Sequence, residues 1–152
     1  LARAPFQVLV FPYLVGDQGR LLYAIFRRRD DGSWQAIAGG GEDAETPLEA
    51  ARREAWEEAG IDPGSPYLPL DAMATVPVVH FADFRDRDDL HVIPEYSFGV
   101  EVASDSVRLS REHAEAAWLP YADAHAQLRW DSNRTALWEL DCRLRQSRTP
   151  RR

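Results

Sequence analysis

The sequence predicts a mixed α and β fold, in which helices cover the faces of a sheet, and three observations carry that expectation. Short runs of β-branched and aromatic residues recur between turn signals; one helix with clear start and stop signals lies among them; and helical stretches close the chain. At 152 residues the chain suits one domain, expected over residues 1–145. A chain of this size buries roughly two-thirds of the surface its unfolded form exposes. Its 45% hydrophobic and 28% charged residues are those of a globular protein rather than a disordered one.

Residues 6–14, FQVLVFPYL, read as a strand, with Pro12 marking an edge or an irregularity because it offers no amide donor. GDQGR then turns the chain, and LLYAIFRR forms a second strand, so the two make a hairpin. After the DDG turn, SWQAIAGGG is a short extended piece that breaks at its glycines. Thr46-Pro47-Leu48-Glu49 supplies a cap, a proline in the first turn and a glutamate three residues after the cap, so a helix runs over residues 47–59. Gly60 and DPGSP stop it.

Residues 70–81 and 92–102 read as strands around the charged loop ADFRDRDDLH. VRLSREHAEAAWLP is a loop leading into a short strand near Trp118. YADAHAQL is a short helix, and a longer one runs from about Asn133 to Leu144 with Leu137, Leu140 and Leu144 on one side. From residue 146 a mobile basic tail is expected.

Several function classes are excluded or disfavoured. The net charge of −7 argues against adhesion to a nucleic-acid polymer, though a bound cation can reverse the local sign for a small phosphorylated substrate. The apolar run over residues 8–15 is too short to span a bilayer, so a soluble, cytoplasmic protein without membrane contact is expected. The lone Cys142 forms no intrachain disulfide, and no Cys/His spacing suggests zinc. All 18 basic residues are arginine, which removes Schiff-base and P-loop lysine chemistry.

The segment GGGEDAETPLEAARREAWEEAGI gathers seven acidic residues. On the helix, Leu48, Ala51, Ala55 and Ala59 share a face suited to close packing. Glu54, Glu57 and Glu58 fall within an arc of about 100° on another. Arg53, four residues from both Glu49 and Glu57, allows a solvated salt-bridge ladder. That leaves Glu54 and Glu58 as a like-charge pair costing a few tenths of a kcal/mol. Carboxylates beside a glycine-rich loop read better as ligands for a hard divalent cation such as Mg²⁺.

Gly39, Glu45, Arg53, Glu54, Ala55, Glu57, Glu58, Gly60 and Ile61 resemble the Nudix box, G-x5-E-x7-R-E-U-x-E-E-x-G-U, at every fixed position, Ala55 being a small choice for an aliphatic one. The chain thereby resembles the Nudix (MutT-like) hydrolases. Flanking segments, RRRDDGSWQAIAGGGEDAETP and EHAEAAWLPYADAHAQLRWDSNRTALWEL, resemble the branch of dihydroneopterin triphosphate pyrophosphatases and dATP pyrophosphohydrolase-like proteins.

The resemblance implies an α/β/α sandwich around a mixed sheet and a Mg²⁺-dependent pyrophosphohydrolase, with Mn²⁺ as an alternative metal. Its substrate would be a nucleoside or pterin triphosphate, cleaved to monophosphate and pyrophosphate by attack of water on phosphorus. Nucleotide sugars or dinucleoside polyphosphates are the alternative substrates, and a nucleotide-sensing module without catalysis is the alternative class. The family allows a homodimer.

By the same resemblance Glu57 and Glu58 are the main metal ligands, Glu54 a further ligand or orienting base, and the Ala38 carbonyl a member of the metal shell. Ile37-Ala38-Gly39 departs from the proline-glycine-glycine of many relatives. Arg53 and Glu45 orient the site, arginine being too weakly acidic to serve as a base. Family members also recruit a base from outside the box; Glu95 is the first candidate, then Glu112 and Glu115.

Arg27, Arg28 and Arg29 either hold substrate phosphates or are ordinary surface arginines. Trp34, Tyr96 and Phe98 either stack on a substrate ring or belong to the core. Ser132-Asn133-Arg134 matches the branch, with Ser132 or Asn133 also able to cap the last helix. The aspartates of the 82–91 loop, flanked by His80 and His91, either bind a second metal or form a solvated hairpin tip.

Overall fold

The computed structural model describes residues 2–148. Strands β1 (Arg3–Val15) and β2 (Leu21–Arg28) form the expected hairpin, paired antiparallel from Tyr13↔Tyr23 to Val15↔Leu21. β3 (Trp34–Gln35) and β4 (Ile37–Glu42) follow, then helix α1 (Pro47–Ala59), β5 (Tyr67–Pro77), β6 (Val92–Glu101) and β7 (His113–Leu119). Helices α2 (Tyr121–Gln127) and α3 (Asp131–Arg148) close the described chain. The sheet runs β3-β2-β1-β6-β5, with β4 joined to β1 and β7 to β2. The β1–β6 pair is parallel and the other strand pairs are antiparallel, so the sheet is mixed.

Alternation along the central strands separates two cores. Leu9, Phe11 and Tyr13 of β1, with Leu21, Tyr23 and Ile25 of β2, pack with Leu128 and with Leu137, Leu140 and Leu144 of α3. Their neighbours Val8, Val10, Ala24 and Phe26 pack on the other face against Ala50, Ala51, Ala55 and Ala59 of α1. A strand buried on both faces reads as a continuous apolar run, and the period of two decides which helix each residue meets. The arrangement is the expected α/β/α sandwich.

Four details differ from the sequence expectation. Pro12 lies inside the central strand, not at an edge. On one side β1 pairs with β4 up to Val10 and with β2 from Tyr13, so Pro12 falls in the gap between partners. The glycines do not break their segment: Gly39, Gly40 and Gly41 lie within β4, where side chains of Glu54, Arg3 and Phe6 fill the space their Cβ atoms would need. Residues 146–148 continue α3 instead of starting a tail, and the rest of that tail lies outside the described residues. Asn133 lies inside α3 rather than capping it; its Oδ1 accepts from the Ala36 amide at 2.8 Å, fastening the helix to the β3–β4 junction.

Helix α1 follows its signals to the residue. The Glu49 amide donates to Thr46 Oγ1 at 3.2 Å and the Thr46 amide to Glu49 Oε1 at 3.0 Å. Gly60 ends the helix at φ 70°, a left-handed conformation that costs glycine little. Thr46→Ala removes the acceptor and is expected to lower stability by about 1 kcal/mol, read as a shifted urea midpoint with unchanged slope. Among the described residues no helix is long and apolar enough to cross a membrane.

Candidate active site

The packing of α1 decides which of its carboxylates are buried. The face that presents Ala51, Ala55 and Ala59 to the sheet also draws Glu58 inside, to 5% exposure, while Glu57 remains on the outside. Glu54 is held between them, its carboxylate lying where a Cβ on Gly39 would be only 2.1–2.4 Å from its atoms. The glycine is thus required by the close approach of β4 to this side chain.

Arg53 ties the loop before the helix to the helix itself. Its Nε and Nη2 donate to Glu45 Oε2 and Oε1 at 2.8 and 3.0 Å, and Nη2 also donates to the Gly40 carbonyl at 2.7 Å. Nη1 reaches Glu54 Oε1 at 3.1 Å and Glu57 Oε2 at 3.2 Å. These bonds hold Glu45 and the Gly40 backbone against α1. The sequence ladder is half formed: Glu57 pairs with Arg53, but Glu49 is engaged in the cap. Hydrogen bonds from Arg53 hold Glu45 below its usual carboxylate range.

The electrostatics of the inner carboxylates are opposite. Burial pushes the Glu54 carboxyl up, against the pull of Arg53. Glu58 is pushed up by burial first, then by hydrogen bonding to Glu112 and the nearby charge of Glu54. Carboxylates this close must share a proton or a cation. Glu58 Oε2 is buried without a hydrogen-bond partner. Behind it, His113 Nδ1 lies 4.0 Å away on a fully buried ring whose two nitrogens also lack partners and which tilts against Phe26 at 5.3 Å.

The cation reading of the box meets both support and a correction. Unpaired buried carboxylate oxygen is the donor that a hard divalent cation takes, so Glu58 with Glu54 fits one. Glu57 stands apart from this pair, half exposed and drawn to Arg53. Among the described residues no three His, Cys, Asp or Glu side chains group closely enough to enclose a metal ion, in the box or in the 82–91 loop. That loop instead forms short turns with an Arg87–Asp89 ion pair at 2.8 Å.

A cavity of about 580 Å³ adjoins the box across β4, whose Ala38 lines it while the next residue, Gly39, backs Glu54. It lies on the α3 face of the sheet and is lined by Gln7, Gln35, Glu95, Trp130, Ser132 and Asn133, among others. Another hollow of about 610 Å³, around Gly60 and Val102, contains none of the box carboxylates.

The remaining predicted residues are divided. Glu95 is buried in the cavity and faces Ser132, while Glu112 is the outside glutamate brought against Glu58. Glu115 pairs with Arg27 at 2.6 Å. The arginine trio does not act as one group: Arg28 enters the cavity wall bound to Asp30 at 2.6 Å, and Arg29 donates to the Arg111 and His113 carbonyls. Trp34 packs on the α3-side core, outside the cavity lining. Phe98 and Tyr96 lie with the α1-side core, because even-numbered residues of β6 face away from Glu95.

Sequence reasoning missed His113, Gln7, Gln35 and Trp130. A lone histidine and two separated glutamines carry no spacing signal; the β1–β6 register sets Gln7 opposite Glu95, and the cavity adds Gln35 and Trp130. Gly39→Ala is expected to displace Glu54, the movable end of a long side chain, with little change in melting temperature. A displacement of about 1 Å at a reacting group costs on the order of 10²-fold in rate, to be read as kcat at saturating cation.

Comparison with known proteins agrees with this geometry. A family model described as the NUDIX domain matches residues 5–138. The dihydroneopterin triphosphate diphosphatase of Escherichia coli K12 is 33% identical over 139 residues, covering 89% of this chain and 91% of its own. An RNA pyrophosphohydrolase of Roseobacter denitrificans is 29% identical over 135 residues, covering 81% of this chain and 82% of its own. A solved structure described as a NUDIX hydrolase from Listeria monocytogenes superposes with a TM-score of 0.86 at 39% identity, covering 95% of this chain and 97% of that one.

Proposed function

The chain belongs to the Nudix family of hydrolases, which act on diphosphate linkages with a divalent cation, and on that premise we propose that it is a Mg²⁺-dependent pyrophosphohydrolase of a nucleoside or pterin triphosphate. The observation that carries the reading is Glu58 Oε2, buried beside Glu54 without a hydrogen-bond partner, with a cavity of about 580 Å³ adjoining across β4. Glu54, Glu57 and Glu58 with the Ala38 carbonyl would hold the cation, which when bound would supply charge neutralisation at the phosphate oxygens and a site for the attacking water.

The chain's own groups do the rest. Arg53, through Glu45 and the Gly40 carbonyl, fixes the box loop against α1 so that the carboxylates keep their places before substrate arrives. We assign the general-base role to Glu112 because it is the glutamate from outside the box in contact with Glu58. A small triphosphate is favoured over an RNA chain because a net charge of −7 offers a polymer little to replace its counterions.

The test is product analysis with dNTPs, dihydroneopterin triphosphate, nucleotide sugars, dinucleoside polyphosphates and a 5′-triphosphorylated RNA, with Mg²⁺, Mn²⁺ or a chelator. Cation-dependent pyrophosphate release from a small triphosphate is the expected result. Cleavage confined to nucleotide sugars, dinucleotides or RNA overturns the substrate class, and silence across the panel overturns the catalytic reading in favour of a nucleotide-sensing role.

A further inference from the structure

Glu95 is an unexplained expense of the fold. It is buried to 7% exposure on β6, its Oε1 has no hydrogen-bond partner, and it lines the cavity on the α3 face. An orphaned buried carboxylate oxygen is destabilising unless a ligand supplies donors. No ion pair to Glu95 forms among the described residues: Arg28, in the same cavity wall, has its charge matched by Asp30, and the Arg3 guanidinium is turned to Gln7. Burial pushes the Glu95 carboxyl up, a hydrogen bond from Ser132 pulls the other way, and paired N–H donors from a ligand would favour the ionised form further.

The surrounding groups describe the ligand. Gln7 and Gln35 line the same cavity, and Gln7 Oε1 is already taken by the Arg3 guanidinium, so the amide nitrogen is the group it offers. Trp130, at the rim, is large, flat and 46% exposed. The carboxylates of the wall exclude phosphate, so a phosphorylated substrate must place its ring here and its phosphates past Ala38 toward the box. A carboxylate is acceptor-only and takes two parallel N–H donors in a fork.

We propose that Glu95 is a specificity-determining residue, its carboxylate reading the adjacent ring N–H and exocyclic amino group of a 2-amino-4-oxopyrimidine edge. Guanine and pterin share that edge; adenine and cytosine present a donor beside an acceptor and mismatch it. The inference rests on the proposed triphosphate hydrolysis for its substrate, but the ring pocket is testable without it. It also moves Glu95 away from the role of general base, since it faces Ser132 and the cavity rather than the box glutamates.

The experiment has two arms. In the first, kcat/KM is measured for dGTP, dihydroneopterin triphosphate, dATP and dCTP with wild type and Glu95→Gln. Wild type is expected to prefer the first two, their order telling guanine from pterin, and the variant to narrow that preference by about 10–100-fold, the effect of a lost hydrogen bond to a charged group. An equal fall in kcat on every substrate, an unchanged preference, or a wild-type preference for dATP or dCTP would overturn the proposal.

In the second arm, calorimetry follows binding of guanosine and dihydroneopterin, which carry no phosphate. Binding that weakens in Glu95→Gln supports the pocket even if no triphosphate is cleaved. Absence of binding of both to folded wild type overturns it even if triphosphates are. The wild-type comparisons need no variant, so a misfolded Glu95→Gln leaves both arms decisive.

Discussion

Glu58→Gln is expected to lower kcat by on the order of 10²–10³-fold while leaving the fold intact. The substitution preserves size and shape at a site where burial and two neighbouring carboxylates already disfavour the charge. What it removes is the anionic oxygen that a divalent cation needs. Without cation the native wild type must hold a proton on Glu58 that the unfolded chain gives up near neutral pH, a cost that glutamine does not carry, so the melting temperature should hold or rise. Wild type should gain melting temperature on adding Mg²⁺, and the variant much less.

The same residue sets a pH dependence. Its folded pKa lies above the ordinary value of 4.5, so the native state keeps a proton that the unfolded chain has lost. Stability from this group is therefore full below about pH 4.5 and is lost as pH rises toward its raised folded value. Melts in chelator between about pH 5 and 8 should show wild type falling more steeply than Glu58→Gln. Equal slopes together with unchanged turnover would sink the role assigned to Glu58.

The parts of the molecule that local chemistry determines were legible in the sequence. Thr46, Pro47, Glu49 and Gly60 each have one good place in a helix, so α1 could be bounded to the residue. The resemblance to the Nudix box implied that Glu45 and Arg53 serve one site, and the Arg53 guanidinium does meet both Glu45 and Glu54. What was not legible depends on register and face. Pro12 marked an edge or an irregularity, and only the register shows that it is the latter, a strand changing partners midway. Tyr96 and Glu95 are neighbours in sequence, yet the pleat sends one toward the α1-side core and the other into the cavity. Arg27, Arg28 and Arg29 looked like one cationic cluster, but different neighbours claimed each of them.

Arg53 should behave differently from Glu58, and the contrast separates a group that holds the site from one that acts in it. Five oxygen acceptors converge on its guanidinium: both oxygens of Glu45, the Gly40 carbonyl, Glu54 and Glu57. Arg53→Ala would leave Glu45 and Glu54 partly buried without a counter-charge. The expected cost is roughly 2–4 kcal/mol of stability, read from chemical denaturation, because stranded charge is worse than an absent pair. Activity should fall by about 10–100-fold as well, since the carboxylates lose the group that orients them. Arg53→Lys keeps the charge but loses the planar fork that serves Glu45 and Gly40 together, so it should recover stability more than activity. If lysine restored both fully, charge alone would be sufficient and the geometric role of the guanidinium would be wrong. The site therefore depends on two opposed arrangements on one helix: a cation shared among acids at Arg53, which holds the loop, and acids left without a cation at Glu58, which can receive one.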